Sequence, residues 1–431
     1  MVDPRGPERD LTCFVLPAIG RLAKTDDPWE PYQLLAPDGA IVRPVAEYFK
    51  DVQASGSPAT TLRSYGLDLL RWMRFLWAWG IEWNHAGRTD ARDFARWMQL
   101  ADKPVRPHWR HEHAPTTVAD THAGSRAGTT APGTPNPVTG KPTPGLTYAA
   151  TTRAHAETVL RTFYDFHRDQ GSGPVLNPFP LDRSRRSSRP NEHHNPMDEW
   201  RNERTGRYRP KVVKRIPRRI PDDHFNSVFA QLRSDRDRAL LAFWVSTGAR
   251  AEELISVHQG GAEPGQQLIT VVRKGTRESQ PLPASSDAFV WLRIYQEQMH
   301  GLAPRGRNQP LWFTLRRPFR PLTYDAARAM FTRANTSLGS NWSLHDLRHT
   351  AAYRLARDPD MPLTDVQWIL GHRQLTTTQT YLTPAPDEVI DRLLAHHARQ
   401  TKKAADRPQP SPPAPGYDSR SLDVLFRRDT P

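Results

Sequence analysis

The chain has 431 residues, enough for two domains of ordinary size. Lys and Arg number 60 against 46 Asp and Glu, and the resulting +14 at pH 7 favours a polyanionic partner. The single cysteine, Cys13, excludes an internal disulfide, no apolar run reaches the ~18 residues of a membrane span, and no signal peptide opens the chain, so a soluble cytoplasmic protein is expected.

Residues 1–43 are punctuated by prolines and read as an N-terminal arm, extended and with little regular structure beyond a short hairpin around Pro37-Asp38-Gly39-Ala40-Ile41-Val42. A helical domain is expected over 44–182. Its first helix runs from Pro44 and closes at Gly56. The next places Leu62, Tyr65, Leu69, Trp72, Met73 and Leu76 on one side and Arg63, Arg71 and Arg74 on the other. The apolar stripe is core. The arginine stripe reads either as a grip on phosphates or as a solvated face. A further helix is expected around Arg88–Gln99. Residues 103–145, rich in Pro, Thr, Gly and His without apolar period, read as a flexible insertion. Helical signal returns after Thr147, a candidate N-cap, with Val159, Leu160, Phe163 and Phe166 on the apolar side.

A charged, proline-punctuated stretch at 183–215 reads as a basic linker facing nucleic acid. A second domain is expected over 216–402, with a helix starting at Pro221-Asp222-Asp223 and another ending at Gly248. Gln266–Gly275 and Glu278–Pro283 read as a short hairpin or part of a small sheet, with Lys274 near its turn, and helices follow, the last one amphipathic through Val389, Leu393 and Leu394. Residues 403–431 are Pro-rich and read as a disordered tail.

Within the second domain lies an unusual set: Arg250 after a Thr-Gly, Lys274 at a strand-to-turn junction, His345 and Arg348 three apart, His372 after Gly371, and Tyr381. Attack on a phosphodiester builds negative charge on its non-bridging oxygens, and arginine forks pair two such oxygens at once while staying charged. A tyrosine hydroxyl, with a reference pKa of ~10, needs help to lose its proton, which histidine can accept. A lysine can return a proton to the departing 5′ oxygen. Each piece also has a plain alternative. His345 and His349 stand at zinc-helix spacing but lack the glutamate that zinc hydrolases use. Arg250 could pair with Glu252 or Glu253, Lys274 could be a hairpin tip, Tyr381 could be a core or surface aromatic, and His349 reads as a structural or supporting residue.

In this order the motifs resemble those of the tyrosine recombinases, the phage integrase family. The resemblance spans roughly residues 215–400 and carries the family's catalytic roles onto Arg250, Lys274, His345, Arg348, His372 and Tyr381, with Tyr381 the nucleophile. It implies a mainly α fold with a small β-sheet or hairpin in the catalytic domain, preceded by a helical core-binding domain that clamps DNA. Arg63, Arg71, Arg74, Arg153, Arg218 and Arg219 are the DNA-binding candidates. The implied activity is site-specific recombination through a 3′-phosphotyrosine, without ATP, metal or other cofactor. The implied partners are double-stranded DNA with paired sites, a homo-tetramer on that DNA, and accessory directionality or architectural proteins. The alternatives are relaxation of the type IB topoisomerase kind and a non-catalytic DNA-binding regulator.

Overall fold

The computed structural model describes residues 9–104, 132–182, 205–212, 217–383, 386–405 and 418–426. The chain divides into two compact units, Met1–Lys214 with Gly339–Asn341, and Arg215–Leu338 with Trp342–Pro431. Among the described residues no helix is long and apolar enough to cross a membrane.

The first unit opens with an antiparallel hairpin, β1 (Arg21–Lys24) and β2 (Tyr32–Leu35), in which Arg21 faces Leu35 and Lys24 faces Tyr32. The turn expected around Pro37–Val42 is present: Ala36 N–H donates to the Ala40 carbonyl, and Leu35 bridges Ile41. The helices are α1 (Arg43–Ala54), α2 (Ala59–Ala78), α3 (Arg88–Leu100) and α4 (Ala150–Asp169). The expected apolar face of α2 is the core, with Leu62, Leu69, Trp72, Met73 and Leu76 all buried. Aromatic rings dominate around it: Trp72 meets Phe94 and Phe179 edge-on at centroid distances of 5.0 and 5.2 Å, and its indole N–H donates to Tyr164.

Three expectations need correction here. Residues 9–42 are not an extended arm. Leu11 and Leu34 belong to the core, and Leu22 lies so close to α2 that a Cβ on Gly66 would stand 2.6 Å from its Cδ1. The short strands escape pattern reading because four residues between prolines carry little periodicity. Helix α4 begins at Ala150, with Ala149 as its N-cap, because Thr147 is held instead in a bridge with Asp102. The expected disordered tail contains a described helix at Ser419–Leu425, and the helix before it runs on to Ala405. Of the expected insertion, residues 105–131 lie outside the described residues, as do 183–204 and 213–215 of the expected linker.

In the second unit α5 (Asp222–Ala230), α6 (Asp235–Thr247) and the short α7 (Ala251–Ile255) lead into a three-stranded antiparallel sheet of β3 (Ala262–Glu263), β4 (Leu268–Val272) and β5 (Ser279–Pro283). Helices α8 (Ser286–Gln298), α9 (Tyr324–Ser337), α10 (Leu344–Ala356), α11 (Leu363–Leu370) and α12 (Leu375–Gln379) follow. Then come a single 3-10 turn at Thr380–Leu382, α13 (Pro386–Ala405) and α14 (Ser419–Leu425). Helix α6 is buried nearly all round, from Ala239 to Trp244, so it shows no polar face and forms the centre of this unit. The fold is mainly α with a small sheet, as expected.

If β2 is core, Leu34→Ala, at a side chain only 1 % exposed, should cost about 2–5 kcal/mol of stability. Thermal unfolding of the full chain reads this as a lowered transition. An unchanged transition would return residues 9–42 to the status of an arm.

Candidate active site

The site is built where two helices stop. Helix α6 ends at Gly248 in the left-handed region, φ 63°, where a Cβ would meet Leu370 Cδ2 at 2.8 Å. The chain then turns so that Arg250 becomes the N-cap of α7. Arg250 N–H donates to Glu253 Oε2 (2.9 Å) and its Nη1 to Glu253 Oε1 (2.8 Å), leaving the side chain about one-third exposed. Glu253 is buried and also accepts from Arg273 Nη1 and from the Lys274 N–H, both at 3.0 Å. Burial alone would raise its pKa. The two backbone N–H groups and the Arg250 guanidinium outweigh that effect and hold the carboxyl below its usual range.

Helix α11 ends in the same manner at Gly371, φ 61°. The last three carbonyls of this helix each find a side chain: Trp368 accepts from Gln280 Nε2 at 3.0 Å, Ile369 from Arg273 Nη2, and Leu370 from Arg348 Nη2 at 2.6 Å. Arg348 also donates through Nη1 to the Gly248 carbonyl at 2.7 Å. This one guanidinium, 3 % exposed, therefore joins the carbonyl ends of α6 and α11. Its burial, and then the neighbouring Arg250 charge, bring its pKa down to about 10, so it remains a cation at neutral pH.

Tyr381, on the 3-10 turn, packs against Ala352, Ala356, Val366 and Leu370 and is 5 % exposed. Burial raises its pKa against the opposing pull of Arg348 and Arg250. Its hydroxyl is 2.9 Å from His349 Nδ1, and its ring is stacked with that of His372, 9° from parallel at 6.2 Å. His372 Nδ1 is spent on the Thr378 hydroxyl (2.9 Å). Burial and the Arg348 and Arg250 charges push the His372 pKa down to about 4, so this imidazole is neutral. His345 is exposed on α10, its ring edge-on to His349 at 4.3 Å.

Four of the expected residues, Arg250, Arg348, His372 and Tyr381, thus share one neighbourhood, and His345 borders it through His349. Lys274 stands apart on the surface, paired with Glu252 Oε2 at 3.2 Å and more than half exposed. The sequence placed His345 in the catalytic set and left His349 as a structural or supporting residue, whereas the imidazole on the phenol is that of His349. It also missed Glu253 and Arg273 as the frame of the site. Strand alternation held the signal for Arg273, which continues the every-second-residue register of the buried Ile269 and Val271 one residue past the end of β4. For zinc, no group of three or more His, Cys, Asp or Glu among the described residues is placed to hold an ion.

The DNA-binding candidates divide. Arg63 is exposed on α2, and Arg218 and Arg219 are exposed before α5, with Arg219 4.7 Å from the Tyr353 ring centre. Arg71 is paired with Asp68 and lies over Tyr148 at 4.9 Å, and Arg153 is partly buried, with Nε inside. Arg74 corrects the reading of a free basic stripe. It donates to the carbonyls of Ile19 (2.6 Å) and Gly20 (2.9 Å), tying α2 to the chain entering β1.

Residues 218–388 match the phage integrase family. The chain is 28% identical over 198 residues to tyrosine recombinase XerD of Neisseria meningitidis serogroup B, covering 44% of this chain and 66% of that protein. It is 30% identical over 224 residues to tyrosine recombinase XerC of Syntrophus aciditrophicus, covering 49% and 67%. The match thus spans about two thirds of the length of these relatives. Among solved structures, the Tn1549 transposon integrase in complex with circular intermediate DNA aligns with a TM-score of 0.51 at 14% identity, over 81% of this chain and 98% of that one, a likeness of fold. The chain belongs to the phage integrase family, whose members are the tyrosine recombinases.

The neutral state of His372 has a pH signature. An unfolded histidine titrates near 6.5 and the folded one near 4, so between those values the unfolded chain binds more protons. Stability should therefore fall as pH drops from 6.5 to 4, and His372→Gln should flatten that fall. Urea midpoints for both proteins across this window test it, and parallel curves would contradict it.

Proposed function

We propose that this protein is a site-specific DNA recombinase that cuts and rejoins strands through a 3′-phosphotyrosine, with Tyr381 as nucleophile. The observation that carries this reading is the convergence, within one chain, of a buried tyrosine, a neutral histidine and two arginines with donors to spare. Among the described residues Arg348 spends one hydrogen of each Nη on the helix ends, which leaves its Nε–H and second Nη hydrogens for a phosphate. Arg250, one-third exposed, supplies the second fork. His372 adds a hydrogen bond to a non-bridging oxygen, and Lys274 protonates the departing 5′ oxygen once it leaves Glu252. The new bond between Tyr381 Oη and phosphorus conserves the energy of the broken phosphodiester, so rejoining runs by reversal and neither ATP nor a metal is called for.

The partner in this reading is double-stranded DNA carrying paired sites, held by a homo-tetramer with accessory proteins where direction must be set. Residues 44–182, together with the hairpin of β1 and β2 that shares their core, serve as the DNA-clamping domain, 183–215 as the basic linker and 216–402 as the catalytic domain. The net charge of +14 and the DNA-bound state of the Tn1549 transposon integrase support the DNA partner. The exposed Val389, Ile390, Leu393 and Leu394 on α13 support contact with a neighbouring protomer.

Tyr381→Phe removes one oxygen and should leave folding and DNA affinity near those of the unaltered protein while abolishing covalent protein–DNA adducts. The assay is denaturing gel capture on nicked duplexes. Adducts at normal yield would assign the nucleophile elsewhere and sink this reading.

A further inference from the structure

We propose that His349 is a catalytic residue: its Nδ1 takes the proton from Tyr381 as the phenol attacks phosphorus, and returns it when the strand is rejoined. This rests on Tyr381 being the nucleophile.

The position of the phenol carries the argument. Tyr381 Oη lies 2.9 Å from His349 Nδ1, within the reach a general base requires. His372 is ill placed for the same work. Its ring lies nearly parallel to that of Tyr381, and its Nδ1 is engaged by Thr378. His345, one helical turn before His349 on α10, meets the His349 ring edge-on. The phenol is buried, so water is a poor acceptor for its proton, and burial keeps that proton bound until a base removes it. Once the proton has gone, Arg348 and Arg250 favour the phenolate.

The step balances with His349 starting neutral and protonated on Nε2. The Oη–P bond forms, the P–O5′ bond breaks, the phenol proton moves to His349 Nδ1, and the 5′ oxygen takes a proton from Lys274. Rejoining reverses each transfer. Lys274 and His349 are then an acid and a base acting on opposite ends of the same displacement, and a change of leaving group separates them.

The test uses the full-length protein and a nicked duplex chosen by covalent capture from a random-sequence library, made with either oxygen or sulfur at the bridging 5′ position. Sulfur departs without a proton. His349→Ala and His349→Gln should both slow single-turnover adduct formation, by about 100-fold or more, and to the same extent on both substrates. Lys274→Ala should be slow on oxygen and close to the unaltered rate on sulfur. Glutamine can keep a hydrogen bond to Oη but cannot take its proton, and it carries the test if the alanine variant does not fold. Three results overturn the proposal: a wild-type rate for His349→Gln, which leaves His349 as a positioning residue only; rescue of either His349 variant by sulfur, which moves the residue to the leaving group; or no slowing in His349→Ala. Absence of adducts with the unaltered protein would instead remove the recombinase reading, and this assignment with it.

Discussion

The catalytic unit depends on a single buried cation between two helix ends. Helices α6 and α11 both stop at a left-handed glycine and present carbonyl oxygens to the same spot, with the partial negative charge of a helix C-terminus behind them. Arg348 spans the two ends through two nitrogens of one planar group, which an ammonium cannot do. Burying a cation is costly, and these carbonyls offset the cost while leaving its charge in place. The glycines are part of the same device, because a Cβ at Gly248 would push on Leu370 and one at Gly371 on Arg273.

Around that contact the charges do not cancel. Arg250 and Arg273 are both paired with Glu253, and Arg348 stands close enough to both arginines to feel their charge. The surplus positive charge has visible effects before any phosphate arrives. It helps keep His372 neutral and it works against the burial that holds the proton on Tyr381. A phosphodiester is a natural complement to such a surplus. The charge is fixed by folding, so little reorganisation is left for the reaction itself.

Much of this was legible in the sequence, and the reasons differ by element. The long helices of the first unit follow from 3.6-residue periodicity, and the glycines after Thr247 and Leu370 mark where α6 and α11 end. Arg250, Arg348, His372 and Tyr381 could be named because their residue types suit phosphoryl transfer and stand in a distinctive order. What could not be read depends on contacts distant in sequence. Glu253 looks like any acidic residue in a first helical turn until Arg273 and Lys274 arrive from the sheet. His349 acquires its partner from a turn 32 residues away. Arg74 looks like one member of a basic stripe, yet it is consumed by two carbonyls far upstream. The hairpin of β1 and β2 is too short to show a pattern and is held by what it covers.

The claim that Arg348 assembles the site is tested most directly by hydrogen–deuterium exchange on Arg348→Lys. Lysine keeps the positive charge but lacks the two-nitrogen fork that reaches both helix ends here. The amides of Gly248, Arg250, Gly371 and His372, all hydrogen-bonded in the folded protein, report on those ends. Arg348→Lys should exchange faster at both segments together, with amides of α2 in the other unit unchanged, and should lose adduct formation. Unaltered exchange at both segments in a variant that no longer cleaves would contradict that claim, and would reduce Arg348 to a phosphate contact on a frame that stands without it.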